Sequence, residues 1–402
     1  MKQGFQFLNA SSRFLFVLLL LAATYVFAMF QGGKVSWSIF YILLPFVLYS
    51  CLLFFYPLRD LTAKRQIISR TLERGGKLEV KLLIQRTIPF PLLYTIVSDK
   101  WEDPSIAKLV GERGKRLFLF GFRKEIEWSY TIEDMPRGEH ILRGVDMEVS
   151  DFFGWIRKTR RIEIKDVVLV FPKTRDIHYT PIQVQYDQGA LASPFSLVKD
   201  TTMATGVRDY QSGDRVTWIH WKSFARTQTL MTKEFEDRQS EELLFVLDTR
   251  KPDLFEERIE LAASSLKEAT AEQASVSFIS AGEKIHSYPF IQSADQYRNV
   301  LIHLAKLKPQ ADVLPESMEH GISMPNGGSL IFISSDPDWS FIQPLVMSLQ
   351  NVQTIICLAV VDRDRPMSEK MLDQVHYLRT KGITVHILGK AEFATAFREV
   401  AS

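Results

Sequence analysis

The segment between residues 206 and 226 holds the side chains best suited to chemistry or recognition. Four basic residues are interleaved there with two acidic and four aromatic ones: Arg208, Arg215, Lys222 and Arg226; Asp209 and Asp214; Tyr210, Trp218, Trp221 and Phe224. Guanidinium groups pair with carboxylates through two parallel hydrogen bonds and stack on aromatic faces. This composition is therefore typical of a half-buried network of charged and aromatic groups.

Three interpretations of this segment are open. One is a structural clasp, in which Arg and Asp side chains satisfy backbone groups where two domains meet. Another is a docking surface for a protein partner, since Arg and aromatic residues are enriched at interaction hot spots. The last is an enzyme centred on Arg208, Asp214, His220 and Arg226, although no nucleophile stands at a recognised spacing from His220. We expect no catalytic residue.

The same segment resembles the hallmark of a bacterial family called domain of unknown function 58. The pattern G-x-R-x-Y-x-x-G-D, then I-x-W-x-x-x-A-R, is carried by Gly206, Arg208, Tyr210, Gly213, Asp214, Ile219, Trp221, Ala225 and Arg226. Long family members resemble this chain along nearly its whole length. Their usual genetic neighbours are MoxR-type AAA+ ATPases and transglutaminase-like membrane proteins. The resemblance therefore implies a membrane-associated chaperone or assembly system, and it supplies no reaction.

After residue 241 the chain alternates apolar runs with helical patterns, which predicts a doubly wound α/β domain over residues 241–402. The domain resembles von Willebrand A domains, where a D-x-S-x-S string begins a metal site. Here Asp248 is followed by Thr249-Arg250-Lys251-Pro252, so both hydroxyl positions are lost. Asp336 also follows a predicted strand. We expect no metal at either degenerate position, and a metal-dependent ligand-binding protein is the alternative.

Other chemical signatures are missing from the sequence. No phosphate-binding glycine motif follows a predicted strand, so we expect no cofactor. The 49 basic and 47 acidic residues nearly balance, which argues against nucleic acid as a partner. With Cys51 and Cys357 as the two cysteines, a disulfide framework or a zinc cluster cannot be built.

Two runs without Asp, Glu, Lys or Arg predict a transmembrane hairpin within residues 1–60, with spans at about 14–30 and 37–57. The connecting turn carries a single basic residue, Lys34, whereas several basic residues flank the pair. The flanks should therefore be cytoplasmic. We expect a multi-pass protein of the bacterial inner membrane with cytoplasmic soluble domains and the lipid bilayer as one partner.

Short alternating runs broken by Gly and Pro predict a β-sandwich over residues 67–171. Within it, residues 151–155 (Asp-Phe-Phe-Gly-Trp) should form a tight turn between two strands. Residues 172–240 then link the two domains and carry the motif, whose interaction or structural residues we take as Gly206, Arg208, Tyr210, Gly213, Asp214, Trp218, Trp221 and Arg226. The function we expect is a membrane-anchored, non-enzymatic scaffold or assembly factor that docks cytoplasmic proteins, with a MoxR-type ATPase as the candidate.

Overall fold

The computed structural model describes residues 2–69, 72–178, 204–211, 216–235, 242–272, 274–311, 328–349, 352 and 354–397. The chain divides into two compact units. The first contains Met1–Lys173 with Leu301–Leu307, and the second contains Thr174–Val300 with Lys308–Ser402.

The first unit begins with two long apolar helices, α1 (Lys2–Gln31) and α2 (Lys34–Phe55). Within them Ser12–Gln31 and Lys34–Phe55 are long and apolar enough to cross a membrane. The turn between them has positive φ angles of 62° at Gly32 and 89° at Gly33, which glycine adopts without steric cost. Both predicted spans fall largely within these helices.

Two sheets follow in the first unit. Their strands are β1 (Thr62–Ile67), β2 (Leu72–Glu73), β3 (Leu78–Gln85), β4 (Tyr94–Trp101), β5 (Lys115–Phe118), β6 (Glu125–Ile132), β7 (Gly138–Ser150) and β8 (Arg157–Phe171), and helix α3 (Pro104–Val110) lies between β4 and β5. One sheet has the order β1-β3-β6 and the other β2-β8-β7-β4-β5. Neighbouring strands pair antiparallel, except that β2 and β8 are parallel.

Alternating residues of these strands build one hydrophobic core. On β3 the buried positions are Leu78, Val80, Leu82 and Ile84, as the period of two requires. Val97, Val145 and Met147 of the other sheet join the same core. The first strand begins at Thr62, before the predicted domain boundary at residue 67. The sequence did not reveal this strand because its residues are mostly polar and their alternation is weak.

A buried ion pair lies between strands of the first unit. Arg65 donates to both carboxylate oxygens of Asp99, and its Nη1 lies 2.7 Å from Oδ2 of Asp166. The hydroxyl of Tyr130 donates to Asp99 Oδ2 over 2.7 Å. Burial, and secondarily the charge of Asp99, raises the pKa of Tyr130.

The second unit contains a small hairpin and a larger sheet. The hairpin consists of β9 (Ala204–Asp209), helix α4 (Trp221–Thr227) and β10 (Met231–Phe235). The sequence patterns did not predict β9 and β10, because both strands are short and lie in a segment rich in turn-forming residues.

The larger sheet alternates with helices along the chain. In chain order, its strands and the helices between them are β11 (Glu242–Asp248), α5 (Phe255–Ala271), β12 (Ser275–Ala281), β13 (His286–Ile291), α6 (Ala294–Lys306), β14 (Ser329–Ser334), α7 (Trp339–Ser348), β15 (Thr354–Val360), α8 (Glu369–Thr380) and β16 (Thr384–Leu388). The strand order is β13-β12-β11-β14-β15-β16. Neighbours are parallel, except that the edge strand β13 is antiparallel to β12. The predicted α/β alternation is thus observed.

Two details of this sheet differ from the prediction. Strand β13 was missed, since its side chains are mostly exposed and give no apolar run. The last helical pattern of the sequence, after β16, forms only a short 3-10 helix, Lys390–Thr395.

Candidate functional site

The family-like motif forms a compact hairpin. We call residues 204–211 and 216–235 the motif hairpin. Strands β9 and β10 pair antiparallel, with Arg208 opposite Thr232 and Asp209 opposite Met231. Between them lie a 3-10 turn, Val216–Trp218, and helix α4. Backbone hydrogen bonds from Tyr210 N to Leu230 O (2.9 Å) and from His220 N to Met231 O (2.8 Å) close the hairpin.

The structure places most of the predicted motif residues on this hairpin. Gly206 and Arg208 belong to β9, and Tyr210 follows it directly. Trp218 ends the 3-10 turn, while Trp221 and Arg226 lie on α4. The predicted residues Gly213 and Asp214 lie outside the described residues.

His220 acts as the N-cap of α4. Its Nδ1 accepts a hydrogen bond from the backbone N–H of Ser223 over 3.2 Å and lies 2.6 Å from Ser223 Oγ. An N-cap side chain satisfies a helix N–H group that would otherwise lack a partner. The contact of Nδ1 with Ser223 therefore holds the start of the helix, which favours a structural role for His220.

Several large apolar side chains of the motif hairpin are exposed. Trp221 is 61% exposed, and its ring meets that of Phe224 edge to face with centroids 6.1 Å apart. Val216 and Leu230 are also exposed, whereas Ile219 and Thr232 are buried. A clasp would be expected to bury its aromatic residues. The exposed pair of Trp221 and Phe224 is instead what a docking surface requires.

The charged residues of helix α4 are cationic. Lys222 and Arg226 are exposed on α4, on the same short helix as Trp221 and Phe224. An apolar patch with a basic fringe favours a partner that presents an apolar pocket with acidic residues around it.

Asp248 ends strand β11 at the carboxyl edge of the parallel sheet, the usual ligand side of such sheets. Its Oδ1 accepts hydrogen bonds from the backbone N and from Nε of Arg250, each over 3.0 Å. Its Oδ2 accepts from Arg250 Nη2 over 3.0 Å and from Ser334 Oγ over 2.7 Å. Both Asp248 and Arg250 are buried, so this carboxylate is saturated by protein donors.

Two further cationic side chains, Lys251 and Arg258, lie at the carboxyl edge of the parallel sheet. Lys251 forms an ion pair with Asp336, the second aspartate that the sequence suggested as a metal position. Arg258 is fully buried and donates to the carbonyl oxygens of Asp248 and Lys251, each over 2.6 Å, and to that of Arg250 over 2.9 Å. Burial lowers the pKa of Arg258, an effect that the neighbouring Asp248 opposes. A metal ion here would have to displace a guanidinium from Asp248 and an ammonium from Asp336.

Among the described residues, no group of three or more His, Cys, Asp or Glu side chains could hold a metal ion. The guanidinium of Arg250 also lies 3.7 Å from the ring centroid of Phe341, which holds it in place. Sequence reasoning found the two aspartates and the two nearby cations, but it missed Ser334, because that hydroxyl comes from a strand far away in the chain.

Residues 206–364 match the model of a family described as "Protein of unknown function DUF58". The "Uncharacterized protein YeaD" of Bacillus subtilis (strain 168) is 35% identical over 306 residues, which cover 76% of this chain and 77% of the relative. The chain belongs to the DUF58 family. The motif hairpin of this DUF58 protein lies at the start of the matched region, so the resemblance that was drawn from the motif is confirmed.

Likeness to solved structures adds little for this DUF58 protein. The complex of zinc 2-glycoprotein with prolactin inducible protein from human seminal plasma matches 27% of this chain and 92% of the other, with 10% identity and a TM-score of 0.20. BslA, a bacterial hydrophobin, matches 29% and 96%, with 11% identity and a TM-score of 0.18. Scores this low carry no argument about fold or function.

Proposed function

We propose that this DUF58 protein is a membrane-anchored, non-enzymatic scaffold whose motif hairpin docks a cytoplasmic protein partner. The candidate partner, from the family resemblance, is a MoxR-type AAA+ ATPase. The observation that carries the proposal is the exposure of Trp221 and Phe224 on the motif at the start of the family match. Exposed aromatic residues beside basic ones are typical of interaction hot spots.

The anchoring part of the proposal rests on α1 and α2. Both helices are long and apolar enough to span a bilayer. Lys34, the first residue of α2, is the single basic residue beside the turn, and Arg59 and Lys64 follow α2 closely. By the positive-inside rule, we infer a hairpin of two spans in the cell membrane with both folded units in the cytoplasm.

The finer assignment of the folded units is also a proposal. Two mainly antiparallel sheets with a shared core support a β-sandwich in the first unit. In the second, the sheet order with one antiparallel edge strand supports a von Willebrand A-like domain. Asp248 then stands where such domains begin their metal site, and the pairing of Arg250 and Lys251 with Asp248 and Asp336 supports recognition without a metal.

The two alternatives have less support. A metal-dependent ligand-binding protein needs Asp248 and Asp336 to be available as ligands, and both are engaged by cations. An enzyme centred on Arg208, Asp214, His220 and Arg226 has less support because His220 uses its Nδ1 to cap a helix.

Affinity capture from membranes tests the docking role. The full-length chain is purified from its native cells with Trp221→Ala, with Phe224→Ala, and with Tyr377→Ala as a matched control, because Tyr377 is an exposed aromatic residue on another helix of the same unit. We expect the ATPase with the wild type and with the control. Losing a hot-spot aromatic should weaken binding by at least about 2 kcal/mol, or roughly thirtyfold. Equal recovery with all four proteins, or no ATPase with any, would refute the proposal.

A further inference from the structure

Residues 151–155 form a closed aromatic turn that packs directly on helix α2. We call this turn, Asp151 to Trp155, the aromatic loop; it joins β7 to β8, as the sequence predicted. Asp151 is buried and accepts from Ser50 Oγ of α2 over 2.7 Å and from the N–H of Ile156 over 3.1 Å. The loop is therefore fixed to the C-terminal half of a helix that is apolar enough to span a membrane.

The aromatic loop contacts α2 well before the C-terminal end of the helix. Its Phe152 and Phe153 rings lie 5.3 and 5.1 Å from the ring of Phe46. Phe46 precedes Phe55, the last residue of α2, by nine positions, which is about 14 Å at about 1.5 Å per residue. The whole helix of 22 residues is about 33 Å long, whereas a hydrocarbon core is about 30 Å thick. If α2 spans the bilayer, almost its whole length lies within the hydrocarbon core. The aromatic loop, which contacts the helix at Phe46, then lies inside the bilayer and not at its surface.

Two neighbouring loops reach the same level. Tyr49 of α2 donates from its hydroxyl to Pro91 O over 2.9 Å and stacks on Phe90. The backbone of Leu92 is paired with that of Gly121, so residues 119–123 lie beside residues 87–93. Leu119 and Phe122 are exposed there, Phe122 by 70%.

Buried polar side chains make this arrangement rigid. Arg86 is buried and donates to the carbonyl oxygens of Phe90, Gly121 and Arg123, which ties the two loops together. Lys158 Nζ lies 3.0 Å from Phe54 O and 2.5 Å from Tyr56 O, at the end of α2, where a cation satisfies the last helical carbonyls. Exposed apolar side chains on rigid loops are costly in water, and they call for a covering partner.

We propose that residues 87–93, 119–123 and 151–155 insert their exposed apolar side chains into the cytoplasmic leaflet of the phospholipid bilayer that α1 and α2 cross. The inference rests on the membrane anchoring proposed above. The occupant is lipid because two of these loops pack directly on apolar α2, through Phe152 and Phe153 on Phe46 and through Phe90 on Tyr49. Arg123, Lys124 and Arg157 are exposed next to the inserted residues and fit the anionic headgroups of that leaflet. The β-strand part of the first unit is then partly immersed in the bilayer and cannot move freely relative to it.

Spin-label depth measurements on the full-length chain in phosphatidylcholine–phosphatidylglycerol vesicles test this inference. Labels are placed by Phe153→Cys and Phe122→Cys, after Cys51→Ala and Cys357→Ala. The control is Leu109→Cys on α3, an exposed leucine beyond the far end of β4. Oxygen concentrates in lipid, and a water-soluble nickel chelate does not. We expect the oxygen-to-nickel accessibility ratio at positions 153 and 122 to exceed that at 109.

A fourth label separates this inference from the anchoring itself. Ile42→Cys reports on the exposed surface of α2. If position 42 is in lipid while 153 and 122 resemble 109, the inserted loops are refuted and the anchor stands. If position 42 also resembles 109, both the anchor and the insertion are refuted. A lipid-like ratio at 42, 122 and 153 supports both.

Discussion

The buried pair of Asp248 and Arg250 makes a quantitative prediction about the carboxyl edge of the second sheet. Arg250→Met keeps much of the side-chain volume but removes the guanidinium, which leaves the buried Asp248 carboxylate with Ser334 Oγ and a backbone N–H. Breaking a buried ion pair by removing one partner costs about 3–5 kcal/mol, since a charge stays buried without compensation. The loss of the contact with Phe341 adds to this cost.

Cys357 provides the assay. It lies in β15, two strands away from Asp248, and is fully buried. Burial, with a smaller contribution from the charge of Asp248, raises the pKa of this thiol, so it should react with a thiol dye only when the sheet opens. In the full-length chain with Cys51→Ala, in detergent, the temperature of half labelling should fall by about 6–20 °C for Arg250→Met, at about 2–4 °C per kcal/mol.

Two controls identify the cause. Arg363 pairs with Glu392 in the same unit with both side chains half exposed, so Arg363→Met should cost less than about 1 kcal/mol. The double variant Asp248→Leu/Arg250→Met should cost less than the sum of its single changes, because it leaves no unpaired charge. If Arg250→Met is no worse than Arg363→Met, the edge is not a buried, charge-compensated site, and the proposal that cations there take the place of a metal is wrong.

Three further predictions concern single contacts. Tyr130→Phe should cost about 1–3 kcal/mol in urea unfolding below pH 10, because it leaves a buried carboxylate short of one donor. Since the pKa of Tyr130 is raised in the folded state, its contribution is present below its ordinary pKa of 10.0 and is lost as the pH rises above that value, so the difference between wild type and variant should shrink there. Ser50→Ala should weaken the attachment of the aromatic loop to α2 by removing the donor to Asp151, so proteolysis after residue 152 in detergent should be faster; unchanged cleavage would contradict this contact. Mg²⁺ should leave the labelling of wild-type Cys357 unchanged, whereas Arg250→Ser/Pro252→Ser, which restores D-x-S-x-S, should gain Mg²⁺-dependent protection.

Local patterns predicted the elements whose residues are apolar and regularly spaced. The parallel strands β11, β14 and β15 are continuous apolar runs, and their burial follows the sequence directly. The turn at residues 151–155 was recognisable from its residues and its position between two alternating runs. Strand β13 was not, because tertiary pairing to β12 holds it in place and its own residues do not.

Contacts between residues that are far apart in the chain could not be predicted from the sequence. Nothing near Asp151 indicates that Ser50, 101 positions away, is its partner. Likewise, the family motif was recognised as a string, but which of its aromatic residues point outward depends on the pairing of β9 with β10. His220 shows the same limit, since its role as an N-cap follows from where α4 begins and not from its neighbours in sequence.

In-cell photo-crosslinking from position 221 tests the docking role most directly. A photoreactive amino acid replaces Trp221 in the full-length, membrane-bound protein, and the same amino acid at Tyr377 serves as the matched control on α8. The scaffold account predicts that a MoxR-type ATPase is captured from position 221 and not from position 377. Capture of the ATPase from neither position, or equally from both, would contradict it.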